Sequence, residues 1–251
     1  MTLFSYSRLK CFQQCPRKYK FKYIDKMRTK QRETVELFFG KRVHETLWKL
    51  YRDVWNQRYI GLDELLEFLS DRWMRHWNDS IRIVKSGYDA VDYLSWAETC
   101  INEYYQRYKP FNHERTLGLE KRIIVPLNDS YHYRLCGYID RVAKTDDGWY
   151  HIHEYKTSSY LPNREELKYN WQALLYAFLL KRRYSYIRKI KIVWHYLKFN
   201  KEFWMMHSDE EINAVNEEIT LVIDTINRTS QYLPHRSRLC GWYEFEKVCN
   251  S

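Results

Sequence analysis

Two short runs carry residue types that could do chemistry together. Gly137-Tyr138-Ile139-Asp140 closes one apolar stretch, and Glu154-Tyr155-Lys156 closes the next, fourteen residues after Asp140. Alternate residues of a strand share a face, so Glu154 and Lys156 project together, roughly 7 Å apart along the chain. A hairpin between the two runs would set Asp140 beside Glu154. Adjacent carboxylates repel, and a hard divalent cation with oxygen ligands, Mg²⁺ or Mn²⁺, relieves that repulsion. Such an ion polarises a phosphodiester oxygen and acidifies a bound water. Lys156 would orient that water or balance the charge growing on the phosphate. Phosphodiester hydrolysis is the chemistry this set suits. A charged strand edge in solvent is the plain alternative, but Asp140 and Glu154 both end apolar strands, where a merely solubilising charge is unexpected.

Other candidates lie elsewhere in the chain. His44 sits on a helical face beside aromatic residues, as a boundary residue or a ligand. Glu120 interrupts an apolar strand, as a solvent-facing position or a second acid near the site. Gln172 and Tyr176 are one helical turn apart and share a face. Arg17, Lys18, Lys20, Lys22, Lys26, Arg28, Lys30 and Arg32 alternate with Tyr19, Phe21 and Tyr23. Such a run could track phosphates while its rings stack on bases, or form a solvated face. A second basic group runs from Lys181 to Lys191.

The composition agrees with a polyanionic partner. The 251 residues carry a formal net charge of +10, which favours nucleic acid or an acidic surface. The 23 Tyr and 10 Trp could offer stacking faces, although most rings are expected in the core. No apolar run precedes a cleavage site at the N-terminus, and none reaches the roughly 20 residues that span a bilayer. An intracellular protein without a membrane partner is expected, its six cysteines reduced or bound to metal.

These residues need elements to position them. Residues 1 to about 110 read as helical: a short helix capped by Ser5 or Ser7, a turn at Pro16, a helix after Gly40, and helices over 63–78 and 91–109. The helix after Gly40 has Val43, Leu47, Leu50 and Val54 at helical spacing, with His44, Trp48, Tyr51 and Trp55 as an adjoining stripe. Strands follow over 117–126, 131–143 and 149–157, joined by turn-like Asn128-Asp129-Ser130 and Asp146-Asp147-Gly148, which favours an antiparallel meander. A long helix over 164–183, strands over 187–199 and 202–207, and a helix over 209–228 complete the pattern. The expectation is one α/β domain over 1–251: a helical part (1–116), a sheet with its helix (117–207), and a final helix with a cysteine-containing tail (208–251).

Taken in order, several blocks resemble the RecB-like branch of the PD-(D/E)XK nucleases, which includes AddAB-type and CRISPR-adaptation nucleases. They are Ser5-Tyr6-Ser7-Arg8-Leu9 with Cys15-Pro16-Arg17-Lys18-Tyr19, Gly40-Lys41-Arg42-Val43-His44, Glu120, Gly137-Tyr138-Ile139-Asp140-Arg141, Glu154-Tyr155-Lys156-Thr157 and Gln172-Ala173-Leu174-Leu175-Tyr176. The resemblance implies a restriction-endonuclease-like core, a mixed central sheet flanked by helices. It implies a metal held by His44, Asp140, Glu154 and the Tyr155 backbone carbonyl, with Lys156 as the catalytic lysine and Glu120 as an acid nearby. Gln172 and Tyr176 then line the site and contact DNA. The implied activity is a Mg²⁺- or Mn²⁺-dependent deoxyribonuclease, an exonuclease on single strands or ends in repair or recombination, with a helicase, recombination or CRISPR partner. A noncatalytic DNA-end-binding or scaffold module is the rival. Relatives hold a 4Fe-4S cluster on four cysteines. Here Cys15, Cys240 and Cys249 match three of them, while Tyr243 replaces the fourth. Cys11, one turn before Cys15, would be the substitute; otherwise the thiols pack the tail onto the N-terminus.

Overall fold

The computed structural model describes residues 2–27, 33–127, 132–237, 240 and 245–249. Arg28, Lys30, Arg32, the turn 128–130, residue 131 and Tyr243 lie outside the described residues. The period-2 segments form one six-stranded mixed sheet. Its strands are β1 (Thr2–Ser5), β2 (Arg115–Pro126), β3 (Tyr133–Lys144), β4 (Tyr150–Lys156), β5 (Ile190–Tyr196) and β6 (Lys201–Met206). The expected meander is present, since β3 pairs antiparallel with both β2 and β4. β4 and β5 run parallel, joined through the helices between them, and β6 returns antiparallel on β5.

β1 is an addition to the sequence-based expectation. It pairs parallel with the start of β3, from Thr2↔Tyr133 to Ser5↔Cys136. Four residues with one buried side chain, Phe4, are too short for an alternation to register. Ser5 then caps α1 (Tyr6–Gln14), its side chain accepting from Arg8 N at 3.3 Å. Pro16 opens α2 (Pro16–Tyr19) at a first-turn position, where its missing N–H costs nothing.

Helices cover both faces. On one, α7 (Trp171–Arg183), α8 (Asp209–Arg228) and α1 pack over Ile139, Ile152, Ile192 and Trp194. On the other, α3 (Val35–Trp55), α4 (Leu62–His76) and α5 (Ala90–Tyr108) enclose a second apolar cluster, which Tyr155 joins from the sheet. α3 starts ahead of the expected point, capped by Thr34, so Gly40 lies inside it. Tyr51, expected on the same stripe as Trp48 and Trp55, is instead buried at 3 % exposure, while Trp55 is 50 % exposed.

The helix expected over 164–183 is two helices, α6 (Arg164–Lys168) and α7. Asn163 caps the first in a capping box with Glu166, and Asn170 caps the second by accepting from Ala173 N at 3.0 Å. An asparagine side chain competes with the helical ladder for backbone N–H groups, so Asn170 ends the first helix's run and caps the second. Among the described residues no helix is long and apolar enough to cross a membrane.

Candidate active site

β2 pairs along β3 from Pro126↔Arg134 to Arg115↔Lys144, so β1 and β4 share the opposite edge of β3. β1 ends there at Cys136 and β4 begins at Arg141. Residues 137–140 therefore face a gap in the ladder, and the candidate site is built in it. Continuing the Arg141↔His153 register places Glu154 opposite Asp140. Where the ladder stops, the Tyr155 N–H donates to Asp140 Oδ2 at 2.8 Å, replacing the acceptor a strand would have offered.

Lys156 is fixed by a neighbour on its own strand and by one on α7. Its Nζ donates to Glu154 Oε1 and to Gln172 Oε1, each at 2.8 Å, and Gln172 Nε2 donates to the Tyr176 hydroxyl at 3.0 Å. Gln172 reaches this far because α7 lies close on Gly137: a Cβ there would stand 2.7 Å from Leu179 Cδ1 and 2.8 Å from Tyr176 Cε1. A side chain at 137 would lift α7 and withdraw Gln172 from Lys156.

His44 arrives from the other layer. Its Nε2 donates to the Tyr155 carbonyl at 3.0 Å, and its Nδ1 lies 3.4 Å from Asp140 Oδ1. α3 approaches the end of β4 at Gly40, where a Cβ would meet Thr157 Oγ1 at 3.1 Å. Glu120 falls opposite Asp140 in the β2/β3 register, between Leu119↔Arg141 and Lys121↔Ile139. Its φ of 44° is left-handed in the middle of a strand, a conformation costing about 1–3 kcal/mol that tends to occur at functional sites. Donor atoms of His44, Glu120 and Asp140 lie within 4.8 Å of one another.

The electrostatics describe a site short of positive charge. Burial, then the Asp140 charge, pushes Glu154 up to about 7 against the pull of Lys156 and His44. Burial alone would lower His44, but the hydrogen bond and charge of Asp140, with Glu154 and Glu120, raise it to about 9. The ring is thus an imidazolium at neutral pH, its two N–H groups serving two of the proposed ligands. Glu154 Oε2 is buried without a hydrogen-bond partner, an arrangement that costs free energy unless a cation completes it. The donors, mostly carboxylate and carbonyl oxygens with one imidazole, suit Mg²⁺ or Mn²⁺. Two of them, His44 and Glu120, line a cavity of about 760 Å³ together with Lys41, Trp48 and Thr157.

The structure thus brings His44, Glu120, Asp140, Glu154, the Tyr155 carbonyl, Lys156, Gln172 and Tyr176 to one place. Tyr176 is 7 % exposed, and its hydroxyl accepts from Gln172 Nε2 and orients it. Tyr19 is a correction to the expected stacking: it is 1 % exposed, accepts from Arg8 Nε at 3.1 Å, and offers no open face to a base. Arg17 and Lys18 share the short helix α2 with it, and Lys18 borders the thiol cavity. Tyr6, not singled out in the sequence, lies near Lys156 and Glu154: burial raises its pKa, the Lys156 charge lowers it and the Glu154 charge raises it.

Cys15, Cys240 and Cys249 line one cavity of about 190 Å³. Cys15 Sγ accepts from His235 N at 3.4 Å and Cys240 Sγ from Ser237 N at 3.2 Å. Cys11 packs in the apolar core and does not line this cavity. Among the described residues the set is therefore one thiolate short of the four that a 4Fe-4S cluster takes.

A second polar cluster occupies the reverse face of the same strands. Glu114 Oε2 meets His151 Nδ1 at 2.6 Å, and Glu114 Oε1 lies 2.7 Å from His153 Nε2. Arg141 Nη2 donates to Glu114 and lies 2.9 Å from His153 Nε2, with its guanidinium 3.9 Å from the Tyr51 ring centroid. His153 continues to His195 at 2.9 Å, and His195 to the Tyr108 hydroxyl at 3.0 Å. Burial opposes ionisation of Glu114, but His151, His153 and Arg141 hold it well below the usual carboxylate range.

The family relationship agrees with this geometry. The model of the PD-(D/E)XK nuclease superfamily matches residues 3–250, and the chain belongs to that superfamily. A solved structure described as a "putative exonuclease" from Eubacterium rectale aligns with a TM-score of 0.52 at 12 % identity, over 98 % of this chain and 86 % of that one. A solved protein named SSO0001 aligns at a TM-score of 0.40 and 14 % identity, over 97 % and 92 % of the two chains. Among curated proteins none matches this sequence.

Proposed function

We propose that this chain is a Mg²⁺- or Mn²⁺-dependent deoxyribonuclease of the RecB-like branch, acting as an exonuclease on single strands or DNA ends in repair or recombination. The observation that carries this reading is the convergence of His44, Asp140, Glu154 and Lys156 in the β3/β4 gap, with Glu154 Oε2 buried and unpartnered. Asp140, Glu154, the Tyr155 carbonyl and His44 would hold the ion, with Glu120 at the cavity rim placed to share it. When bound, the ion polarises the scissile phosphodiester and acidifies a water. Lys156, anchored by Glu154 and Gln172, orients that water and balances the charge that grows on the phosphate. Gln172 and Tyr176 are positioning residues for Lys156. The whole chain acts as one nuclease domain, and the RecB-like reading carries with it a helicase or recombination partner.

The thiol cavity is read as a packing site that pins the tail, where Phe245 meets Phe21 with centroids 5.6 Å apart. Protein purified without oxygen should be colourless and iron-free; stoichiometric iron would restore the cluster. The main test is incubation of end-labelled single- and double-stranded DNA with the wild type in Mn²⁺ or EDTA, beside Lys156→Ala. Cleavage that requires both the ion and Lys156 supports the reading. Binding of DNA ends without ion-dependent cleavage would make the chain a scaffold module.

A further inference from the structure

α3 presents a seam to solvent that the catalytic residues do not use in full. Leu37, Lys41, His44 and Trp48 follow one another at spacings of four, three and four, and all four line the cavity of the candidate site. The same face continues through Arg52 to Trp55. These are the wrong residues for an idle surface. Leu37 is 55 % and Trp55 50 % exposed and Trp48 is half-buried, whereas Val35, Phe38, Phe39, Val43, Leu47, Leu50 and Tyr51 of the same helix are buried. Arg52 lays its guanidinium 4.7 Å from the Trp48 ring centroid.

The two cations of the seam are each paired with an acidic neighbour, Lys41 Nζ with Glu33 Oε1 at 2.6 Å and Arg52 Nε with Asp53 Oδ1 at 3.6 Å, and still keep much of their side chains in solvent. Lys41 and Arg52 are basic, and both are more than two-fifths exposed. Of the acidic residues of the cavity wall, Glu36 is engaged by the Tyr93 hydroxyl at 3.0 Å and Glu45 by Arg72, while Glu120 belongs to the candidate metal-binding group. From His44 to Trp55 the helix rises about 16 Å, so the seam leads away from the metal-binding corner for the length of a few nucleotides. Exposed aromatic faces alternating with cations are the means by which proteins hold unpaired strands: bases stack on the rings and phosphates meet the cations. A duplex keeps its bases stacked inside and offers none to a tryptophan.

We infer that the exposed seam of α3, with Trp48 and Trp55 as stacking platforms and Lys41 and Arg52 as phosphate contacts, is the track that leads single-stranded nucleic acid into the site. This inference rests on the proposed nuclease reading, and it assigns the substrate's strandedness to one helix. It also shifts the stacking surface from Tyr19, which is buried, to α3.

The test is fluorescence anisotropy of labelled single-stranded DNA, single-stranded RNA and blunt duplex DNA, with Asp140→Asn as the non-cleaving background. Trp48→Ala in that background should weaken single-strand binding about tenfold and leave duplex binding within twofold, while Trp48→Phe restores most of the loss. Trp55→Ala should act in the same direction, and equal loss on DNA and RNA would show that the track reads bases and phosphates and not the sugar. Equal losses on single strand and duplex, no loss on either, or no binding of any strand would overturn the track. If wild type fails to cleave while Trp48→Ala still weakens single-strand binding selectively, the nuclease reading falls and the track stands.

Discussion

The β3/β4 pair carries a polar cluster on each face, and the two are built from the same residue types. On one face Asp140, Glu154 and Glu120 gather around His44; on the other Glu114 gathers His151 and His153. The difference is that the second cluster contains its own cation. Arg141 fills the space between Glu114 and His153, buried at 2 % exposure against Tyr51. The first has only a protonated His44 and a lysine already shared between Glu154 and Gln172, and it leaves Glu154 Oε2 unpartnered. A cluster with a tethered cation is a structural lock; one without is a candidate place for an ion. On the proposed reading, the adjacent positions Asp140/Arg141 and His153/Glu154 divide holding the strands in register from doing chemistry.

The largest expected effect tests the lock. Arg141→Met leaves Glu114 buried without its cation and should lower unfolding free energy by about 3–5 kcal/mol, read by urea denaturation. Any metal ion it still binds should sit at Asp140 and Glu154. Next comes the open cluster: Asp140→Asn or Lys156→Ala should lower the cleavage rate about 10²–10³-fold with unchanged circular dichroism. Third, Mn²⁺ at a hundred times its dissociation constant should stabilise the wild type by about 2.7 kcal/mol. That gain should disappear in Glu154→Gln and persist in Glu114→Gln, measured by thermal melts with and without ion.

The pH dependence sharpens the contrast further. Glu154, raised to about 7, and His44, raised to about 9, both keep protons in the folded state that they lose in the unfolded chain near 4.5 and 6.5. Without ion their contributions to stability therefore decline as pH rises, for Glu154 from 4.5 through about 7 and for His44 from 6.5 through about 9. Both protons must leave before the ion binds. Ion affinity should thus rise about a hundredfold per pH unit below 7 and about tenfold per unit from 7 to 9, as followed by calorimetry. The smallest effect expected is His151→Ala, which removes one partner of a carboxylate that keeps two others. It should cost about 1 kcal/mol and leave ion binding unchanged.

How much of this was legible in the sequence depends on distance along the chain. Asp140, Glu154 and Lys156 could be placed because each ends or follows an apolar strand, and a short hairpin connects them. His44 could be named only through the resemblance, since nothing local distinguishes it from a boundary histidine. Three features required the third dimension. The left-handed Glu120 is set by tertiary context, not by residue type. β1 owes its existence to a distant partner strand. The Glu114–Arg141 lock joins residues with no shared periodicity. Tyr51 shows the limit of a helical stripe read at one-residue resolution: it turns inward to meet the Tyr104 hydroxyl at 2.7 Å, and Arg52 takes its place on the outer seam.

Anomalous diffraction from crystals grown in Mn²⁺ would test the central claim most directly. The expected result is a peak about 2.0–2.6 Å from oxygens of Asp140 and Glu154 and from the Tyr155 carbonyl, with His44 turned toward it and Arg141 undisturbed. A peak at Glu114, His151 and His153, or no peak while the protein cleaves DNA in Mn²⁺, would contradict it.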